Sequence, residues 1–184
     1  LSLGVDDTPY MVAGSVKDGY GSIIMGPGDK IIEEGDLFIV ATGSVFDSYF
    51  CDFDRNYAFG FICDEAKKAY QVVFDATAAG FKAAKVGNQT RDVYPAMNNV
   101  MQKGGALGNS VGRLGHGLGL QLTEWPSNTA TDNTILEPGV ILTLEPGMEY
   151  LPGKEMVHEE NIVITKNGPE WLTNRASEEL PIIQ

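Results

Sequence analysis

The stretch Arg113-Leu-Gly-His-Gly-Leu-Gly-Leu-Gln-Leu-Thr-Glu-Trp-Pro126 organises the chain. Its centre, Gly115-His116-Gly117-Leu118-Gly119, holds one of only two histidines in 184 residues. Glycine carries no Cβ and tolerates tight conformations, so other backbone segments can approach His116 closely. Three acidic stretches elsewhere could converge on it: Asp52-Phe-Asp54, Leu144-Glu145-Pro146-Gly147 and His158-Glu159-Glu160. One imidazole with several carboxylates is a donor set for a divalent transition metal. Taken alone, the pentapeptide reads as a glycine-rich loop around a structural histidine. The three acidic stretches reverse that preference.

The length fits one domain that buries about 70% of its extended-chain surface. A hydrophobic share of 43% with 21% charged residues is that of an ordinary globular protein. The net charge of −12 argues against nucleic-acid and anionic-membrane partners, because no basic patch could offset phosphate repulsion. Cys51 and Cys63 could form one pair at most, which is weak evidence for a disulfide scaffold. No apolar run approaches the ~18 residues needed to span a bilayer and no signal peptide is visible, so the default expectation is cytoplasmic. Leu1 is not an initiator methionine. Residues 1–184 are therefore expected to be a single catalytic-type domain forming the C-terminal part of a longer chain.

Along the chain, residues 10–35 are glycine-rich with short apolar runs such as Ser22-Ile-Ile-Met25, and read as strands joined by loops. Turns are expected at Pro27-Gly28-Asp29 and Glu34-Gly35-Asp36, and again from Gly43 to Ser48. Between them Leu37-Phe-Ile-Val-Ala41 is a buried strand, and Tyr49 to Tyr57 returns as its partner. Strand side chains alternate, which puts Asp52 and Asp54 on one face and Cys51, Phe53 and Arg55 on the other. Asp64 opens a helix to about Lys85 on the periodicity of Ala66, Ala69, Val72, Val73, Ala76 and Ala79. Thr90 is the expected cap of a second helix, about Arg91 to Lys103, ended by Gly104-Gly105, with Pro95 in its second turn. Val140 to Glu145 and Met156 to Thr165 are further strands, the latter entering a hairpin-like turn at Lys166-Asn-Gly168. Strands, two helices, then strands make an α+β domain.

Read in order, Gly35-Asp36-Leu37, Gly43…Tyr49…Asp52-Phe-Asp-Arg55, Gly115-His116-Gly117-Leu-Gly119 with Glu124-x-Pro126, Leu136-Glu-Pro-Gly139 with Leu144-Glu145-Pro-Gly147, and Glu159-Glu160-Asn-Ile-Val-Ile-Thr165 form a set. Together they resemble the pita-bread metallopeptidases: methionine aminopeptidase, Xaa-Pro aminopeptidase, prolidase and the metal-free relative creatinase. The resemblance runs from about Asp36 to Leu172 and implies a curved, mostly antiparallel sheet with helices on its outer face. It also implies a divalent metal (manganese, cobalt, iron or zinc) held by Asp52, His116, Glu145 and Glu159. Glu145 and His116 are the implied catalytic residues, Glu145 as a proton shuttle as well as a ligand.

The chain departs from the family pattern in three places. The family's first metal-binding aspartate falls on Ala41, in Ile39-Val-Ala-Thr-Gly43. One ion then keeps four residues and the other only the two bridging groups, so one firmly bound ion is expected, or a second held weakly. Asp54, on the Asp52 face, could supply a replacement oxygen; its plain role would be charge pairing with Arg55 or Arg113. Two histidines that the family places near the substrate are also missing. The first would fall near Ile24 to Gly26, and the second falls on Thr123, which does not titrate near neutrality. Thirdly, only forty residues precede position 41, and the leading helices of the family's first half are absent. The sheet would then expose apolar surface unless an N-terminal domain or a homodimer partner covers it. A monodisperse monomer in light scattering would count against that.

His158 alternates away from Glu159 and reads as structural or surface. Glu160 reads as a supporting or solvated group. Trp125-Pro126 either walls the substrate pocket or simply packs. The first functional reading is a metal-dependent hydrolase of amide or peptide bonds in a small substrate, Xaa-Pro aminopeptidase-like. The others are a catalytically impaired relative that binds a peptide or protein, and non-peptidase chemistry such as a lyase or C–N hydrolase on the same fold.

Overall fold

A computed structural model describes residues 2–17, 19–22, 24–26, 28–108 and 112–184. The elements in chain order are β1 (Asp7–Lys17), β2 (Asp36–Phe46), β3 (Tyr49–Phe59), α1 (Asp64–Ala83), α2 (Thr90–Gly104), β4 (His116–Gly117), β5 (Glu124–Ser127), β6 (Ile141–Leu144), β7 (Gly147–Leu151), β8 (Lys154–Val157), β9 (Glu160–Thr165), β10 (Gly168–Trp171) and β11 (Ile182–Ile183). They pair as β1-β2-β3-β11, β10-β9-β6-β4-β5 and β7-β8, antiparallel throughout except for β11 on β3. The chain is α+β, as its sequence implies. No helix among the described residues is long and apolar enough to cross a membrane.

The hairpin β2–β3 carries the first acidic residues. Its turn is only Asp47-Ser48, both with positive φ (49° and 71°), the two-residue geometry that matches strand twist. Gly43 to Phe46, expected in the turn, instead continue β2. The register then sets Gly43 opposite Asp52 and Ala41 opposite Asp54. Asp52, Asp54, Asn56 and Ala58 face inward along β3, a strict alternation.

Helix α1 starts where Asp64 and Glu65 meet the positive end of the helix dipole. Its buried stripe, Ala66, Ala69, Tyr70, Val73, Ala76, Thr77 and Gly80, recurs at helical spacing and lies against β6, β7 and β8. The second helix begins one residue earlier than its sequence predicts. Gln89, not Thr90, is the cap: it shares a reciprocal hydrogen-bonded box with Asp92, while the Thr90 hydroxyl donates to the Asp132 carbonyl at 3.0 Å. Pro95 stays inside the helix, and Gly105 closes it in the left-handed conformation.

Met156 to Thr165 is not one strand. It breaks at His158-Glu159 into β8, which pairs with β7, and β9, which pairs with β6 and β10. The core under the helices combines Leu37 and Ile39 with Val73, Met97, Leu142, Leu144, Ile162 and Ile164. Fully burying each such aliphatic side chain is worth about 1.5–3 kcal/mol. The expected strand Ser22 to Met25 and turn Pro27 to Asp29 include Ile23 and Pro27, which lie outside the described residues. Both cysteines are free.

Candidate metal centre

His116 sits on the short strand β4, between β5 and β6. The flanking glycines are what admit it there. A Cβ on Gly115, whose φ is 122°, would overlap the Thr143 carbonyl, and one on Gly117 would overlap the Trp125 carbonyl. The His116 amide donates to Thr143 Oγ1 at 3.1 Å, and its Nδ1 lies 2.9 Å from the Gly117 carbonyl oxygen. A carbonyl can only accept, so Nδ1 carries the proton and Nε2 presents its lone pair. Burial lowers the His116 pKa, which keeps the ring neutral and that lone pair free.

Three carboxylates face Nε2. Asp52 Oδ2 lies 3.6 Å away, Glu159 Oε1 3.9 Å and Glu145 Oε2 4.0 Å. Each comes from a different pairing. Asp52 is on β3, where its N–H donates to Asn161 Oδ1 at 3.1 Å and Asn161 Nδ2 donates back to its carbonyl. This two-way link ties β3 to β9 across the seam between the sheets. The Tyr10 hydroxyl, from β1, donates to Asp52 Oδ1. Glu145 follows β6 directly and Glu159 occupies the break between β8 and β9. Glu145 Oε2 and Glu159 Oε1 are buried with no hydrogen-bond partner among the described residues.

All four residues open onto one cavity of about 560 Å³, whose walls also include Tyr10, Ala41, Asp54, Arg113 and Thr123. Burial raises the pKa of Asp52, Asp54 and Glu159. Glu145 is pushed up to about 7, by burial first and then by the charge of Asp52, against a smaller opposing pull from Arg113. Such a cluster is stable only with protons or a cation among the carboxylates.

The donors suit a cation. Gaps of 3.6–4.0 Å are too long for hydrogen bonds between the groups. Two metal–ligand bonds of about 2.0–2.2 Å each, meeting at one ion, span that range. Two triads have their ligand atoms within 4.8 Å of one another: Asp52, His116 and Glu159, and Asp54, Glu145 and Glu159. The sequence model for metallopeptidase family M24 matches residues 4–167. The chain belongs to this family.

Two relatives and one solved structure show how close the likeness is. The Xaa-Pro dipeptidase of Pyrococcus furiosus is 32% identical over 151 residues, covering 82% of this chain and 43% of its own. The uncharacterized peptidase YqhT of Bacillus subtilis is 38% identical over 153 residues, covering 82% and 42% respectively. Recombinant prolidase from Thermococcus sibiricus superposes with a TM-score of 0.90 at 27% identity, covering 99% of this chain and 49% of that one. The chain thus spans under half the length of these M24 relatives, and its fold is the pita-bread fold.

The four residues expected from the family pattern therefore meet in space. Thr123 and Ala41, where the resemblance leads one to expect a histidine and an aspartate, both line the cavity. Trp125 is not among the residues lining it: the residue is 72% exposed and its Nε1 donates to Thr134 Oγ1 at 2.7 Å. His158 is fully buried, with Nδ1 2.8 Å from Thr77 Oγ1, which makes it structural. Glu160 is not solvated. It is fully buried, accepts from Arg55 at 3.0 Å, from the Ala176 amide at 2.8 Å and from the Thr173 hydroxyl, and its pKa falls to about 2. Arg55 also donates to the carbonyls of Asp54 (2.8 Å) and Glu159 (2.9 Å), which fixes the backbone beneath both carboxylates. Tyr10, Asn161 and the Arg55–Glu160 clamp escaped the sequence reading. Arg55 and Asn161 stand beside motif residues, a weak signal; Tyr10 has none.

Proposed function

We propose that this chain is the metal-binding catalytic half of a hydrolase that cuts an amide or peptide bond near the end of a small peptide, in the manner of the Xaa-Pro dipeptidases and aminopeptidases it is similar to. The observation that carries the reading is the convergence of Asp52, Glu145 and Glu159 on the unprotonated Nε2 of His116 in a cavity of peptide-accommodating size. Asp52, His116, Glu145 and Glu159 would hold a divalent ion such as manganese, cobalt, iron or zinc. When bound, that ion lowers the pKa of water and polarises a carbonyl.

The protein's own groups supply the rest. Glu145, with a pKa near 7, can accept a proton from the attacking water and return it to the leaving amine close to neutral pH. His116 is held in one tautomer by Gly117, so it stays a donor of electrons rather than of a proton. Burial and the Asp52 hydrogen bond raise the Tyr10 pKa far above its usual value, so the phenol remains a donor that steadies Asp52. Arg113 is the one cation among the described residues lining the cavity, and it offers a partner for a carbonyl or a terminal carboxylate of the peptide.

Hydrolysis of Xaa-Pro dipeptides and N-terminal Xaa-Pro tripeptides, with each metal in turn, tests this. Release of the N-terminal residue that stops with chelator and falls about 10²–10⁴-fold in Glu145→Gln is the expected result. Full metal loading with no cleavage across the panel would overturn it. Ala41 favours a second reading, a relative that binds a peptide without cutting it. Tight peptide binding that needs no divalent ion would select that one.

A further inference from the structure

We propose that Arg113 is the oxyanion-stabilising residue of this cavity: its guanidinium donates to the carbonyl oxygen of the bond being cut and steadies the negative charge that grows there. This rests on the reading that the cavity hydrolyses an amide bond. The cavity is poor in donors. Asp52, Asp54, Glu145, Glu155 and Glu159 line it, and ionised carboxylates only accept. The Tyr10 hydroxyl is already given to Asp52, and His116 presents a lone pair. Ser22 and Thr123 offer neutral hydroxyls, which leaves Arg113 as the one cation among the described lining residues. A divalent ion does not make it redundant, because the three carboxylates Asp52, Glu145 and Glu159 outweigh the charge of one such ion. An oxygen gaining negative charge among them is repelled, and a fixed positive donor offsets that repulsion best where water is excluded.

The backbone that builds the site also places Arg113. The Glu145 amide donates to the Leu114 carbonyl at 3.1 Å, and the Leu114 amide donates to the Asn128 carbonyl at 2.9 Å. The segment entering β4 is thereby fastened to the carboxylate that follows β6. The Arg113 charge acts on Asp52, His116 and Glu145, so the side chain stands close to all three. Yet it forms no ion pair with a carboxylate among the described residues, and its Nε–H is buried without an acceptor there. An arginine committed to neutralising the acidic cluster would hold those oxygens at ion-pair distance; this one keeps donor capacity for a substrate oxygen. As the oxygen of water bonds to the carbonyl carbon, its proton passes to Glu145 and the carbonyl π pair moves onto the oxygen that Arg113 meets. When the C–N bond breaks, that pair re-forms the carbonyl and the amine leaves with the proton from Glu145. The guanidinium is strongly engaged only between those two events, which raises kcat without tightening the binding of substrate.

The test pairs steady-state kinetics of the Mn2+-loaded protein on an Xaa-Pro dipeptide with calorimetric binding of an amidated phosphinic dipeptide analogue, whose only negative charge sits at its tetrahedral centre. In Arg113→Met, kcat should fall about 10²–10³-fold with KM little changed, and the analogue should bind more weakly by a similar factor. Arg113→Gln, neutral and closer in length, carries the same readings if Arg113→Met fails to fold. A rise in KM with kcat and analogue affinity kept makes Arg113 an anchor for the carboxyl terminus and overturns the proposal. Unchanged kcat, KM and affinity also overturn it, and in each of these cases the proposed function stands. A wild type that binds the analogue no more tightly than the dipeptide overturns it without any variant. A wild type that cleaves nothing overturns the proposed function as well.

Discussion

His116 Nε2 stands 3.9 Å from Glu159 Oε1, an imidazole lone pair facing a buried carboxyl oxygen that has no hydrogen-bond partner among the described residues. Two electron-rich atoms held that way repel, unless the carboxylate is protonated or a cation lies between them. The fold must therefore select for protons or metal, and several measurable consequences follow from that competition.

Metal binding should release protons. With Glu145 titrating near 7 and Asp52, Asp54 and Glu159 also raised, a cation displaces protons below and around neutrality. Affinity should fall as pH drops from 8 to 6. Calorimetry in buffers of different ionisation enthalpy measures the proton count; a pH-independent affinity would contradict the assignment.

The metal-free protein carries a penalty that Glu145 makes visible. Its folded pKa of about 7 lies above the ordinary 4.5, so the folded state binds more protons between those values. Its share of stability is present below pH 4.5 and is lost as pH rises through 7. The lowered pKa values of His116 and His158 act in the opposite sense, so the clean measurement is a difference. Without metal, Glu145→Gln should stabilise at pH 8 by up to about 3 kcal/mol and have little effect near pH 4.5. Denaturant melts with chelator present at the two pH values check this, and equal effects at both would refute it.

Glu160 behaves the other way. Held near 2 by the His158 ring 3.4 Å away, by hydrogen bonds from Thr173 and the Ala176 amide and by Arg55, against the opposing effect of burial, it contributes stability that is present above pH 4.5 and lost as pH falls through 2. Glu160→Gln leaves Arg55 without its buried counter-charge and should cost about 3–5 kcal/mol. Since Arg55 also grips the Asp54 and Glu159 carbonyls, metal affinity should drop together with stability. Urea unfolding paired with Mn2+ titration reads both; a stable variant with unchanged affinity would remove the clamp from the account.

Tyr10→Phe isolates the support of Asp52. The residue lies on an exposed-edge strand, so the fold should survive, while the loss of one hydrogen bond to a ligand should weaken metal binding about 10–100-fold. Unchanged binding would make the hydroxyl a bystander.

Gly117→Ala tests the packing argument. The new methyl group would overlap the Trp125 carbonyl, which is backbone and can move only by displacing β5. We expect a loss of about 1–3 kcal/mol in thermal or urea unfolding, accompanied by weaker metal binding.

Much of the site was legible because its residues sit in short local patterns. The alternation of Tyr49 to Tyr57 put Asp52 and Asp54 on one face, and the alanine-rich period placed α1 within two residues of its observed end. Element ends were less legible. Gly43 looked like the start of a turn, but the left-handed pair Asp47-Ser48 makes the turn and Gly43 stays in the ladder. The run from Met156 to Thr165 looked continuous because Met156-Val157 and Ile162-Val-Ile-Thr165 both suit a strand and no Gly or Pro separates them. It breaks at His158-Glu159 because β8 and β9 take different partners, β7 for one and β6 and β10 for the other.

The order of the glycine-flanked histidine and the acidic motifs was enough, by itself, to determine the family, the α+β class and which side chains would be brought together. Local chemistry carries that information, since periodicity and glycine spacing are properties of neighbouring residues. What only the tertiary structure decided is how those side chains are held. Tyr10 reaches Asp52 from 42 residues away, Glu160 is buried rather than solvated, and Ala41 faces Asp54 across a ladder. Those contacts depend on strand register and on the seam between sheets, which are fixed by packing between segments distant in the chain.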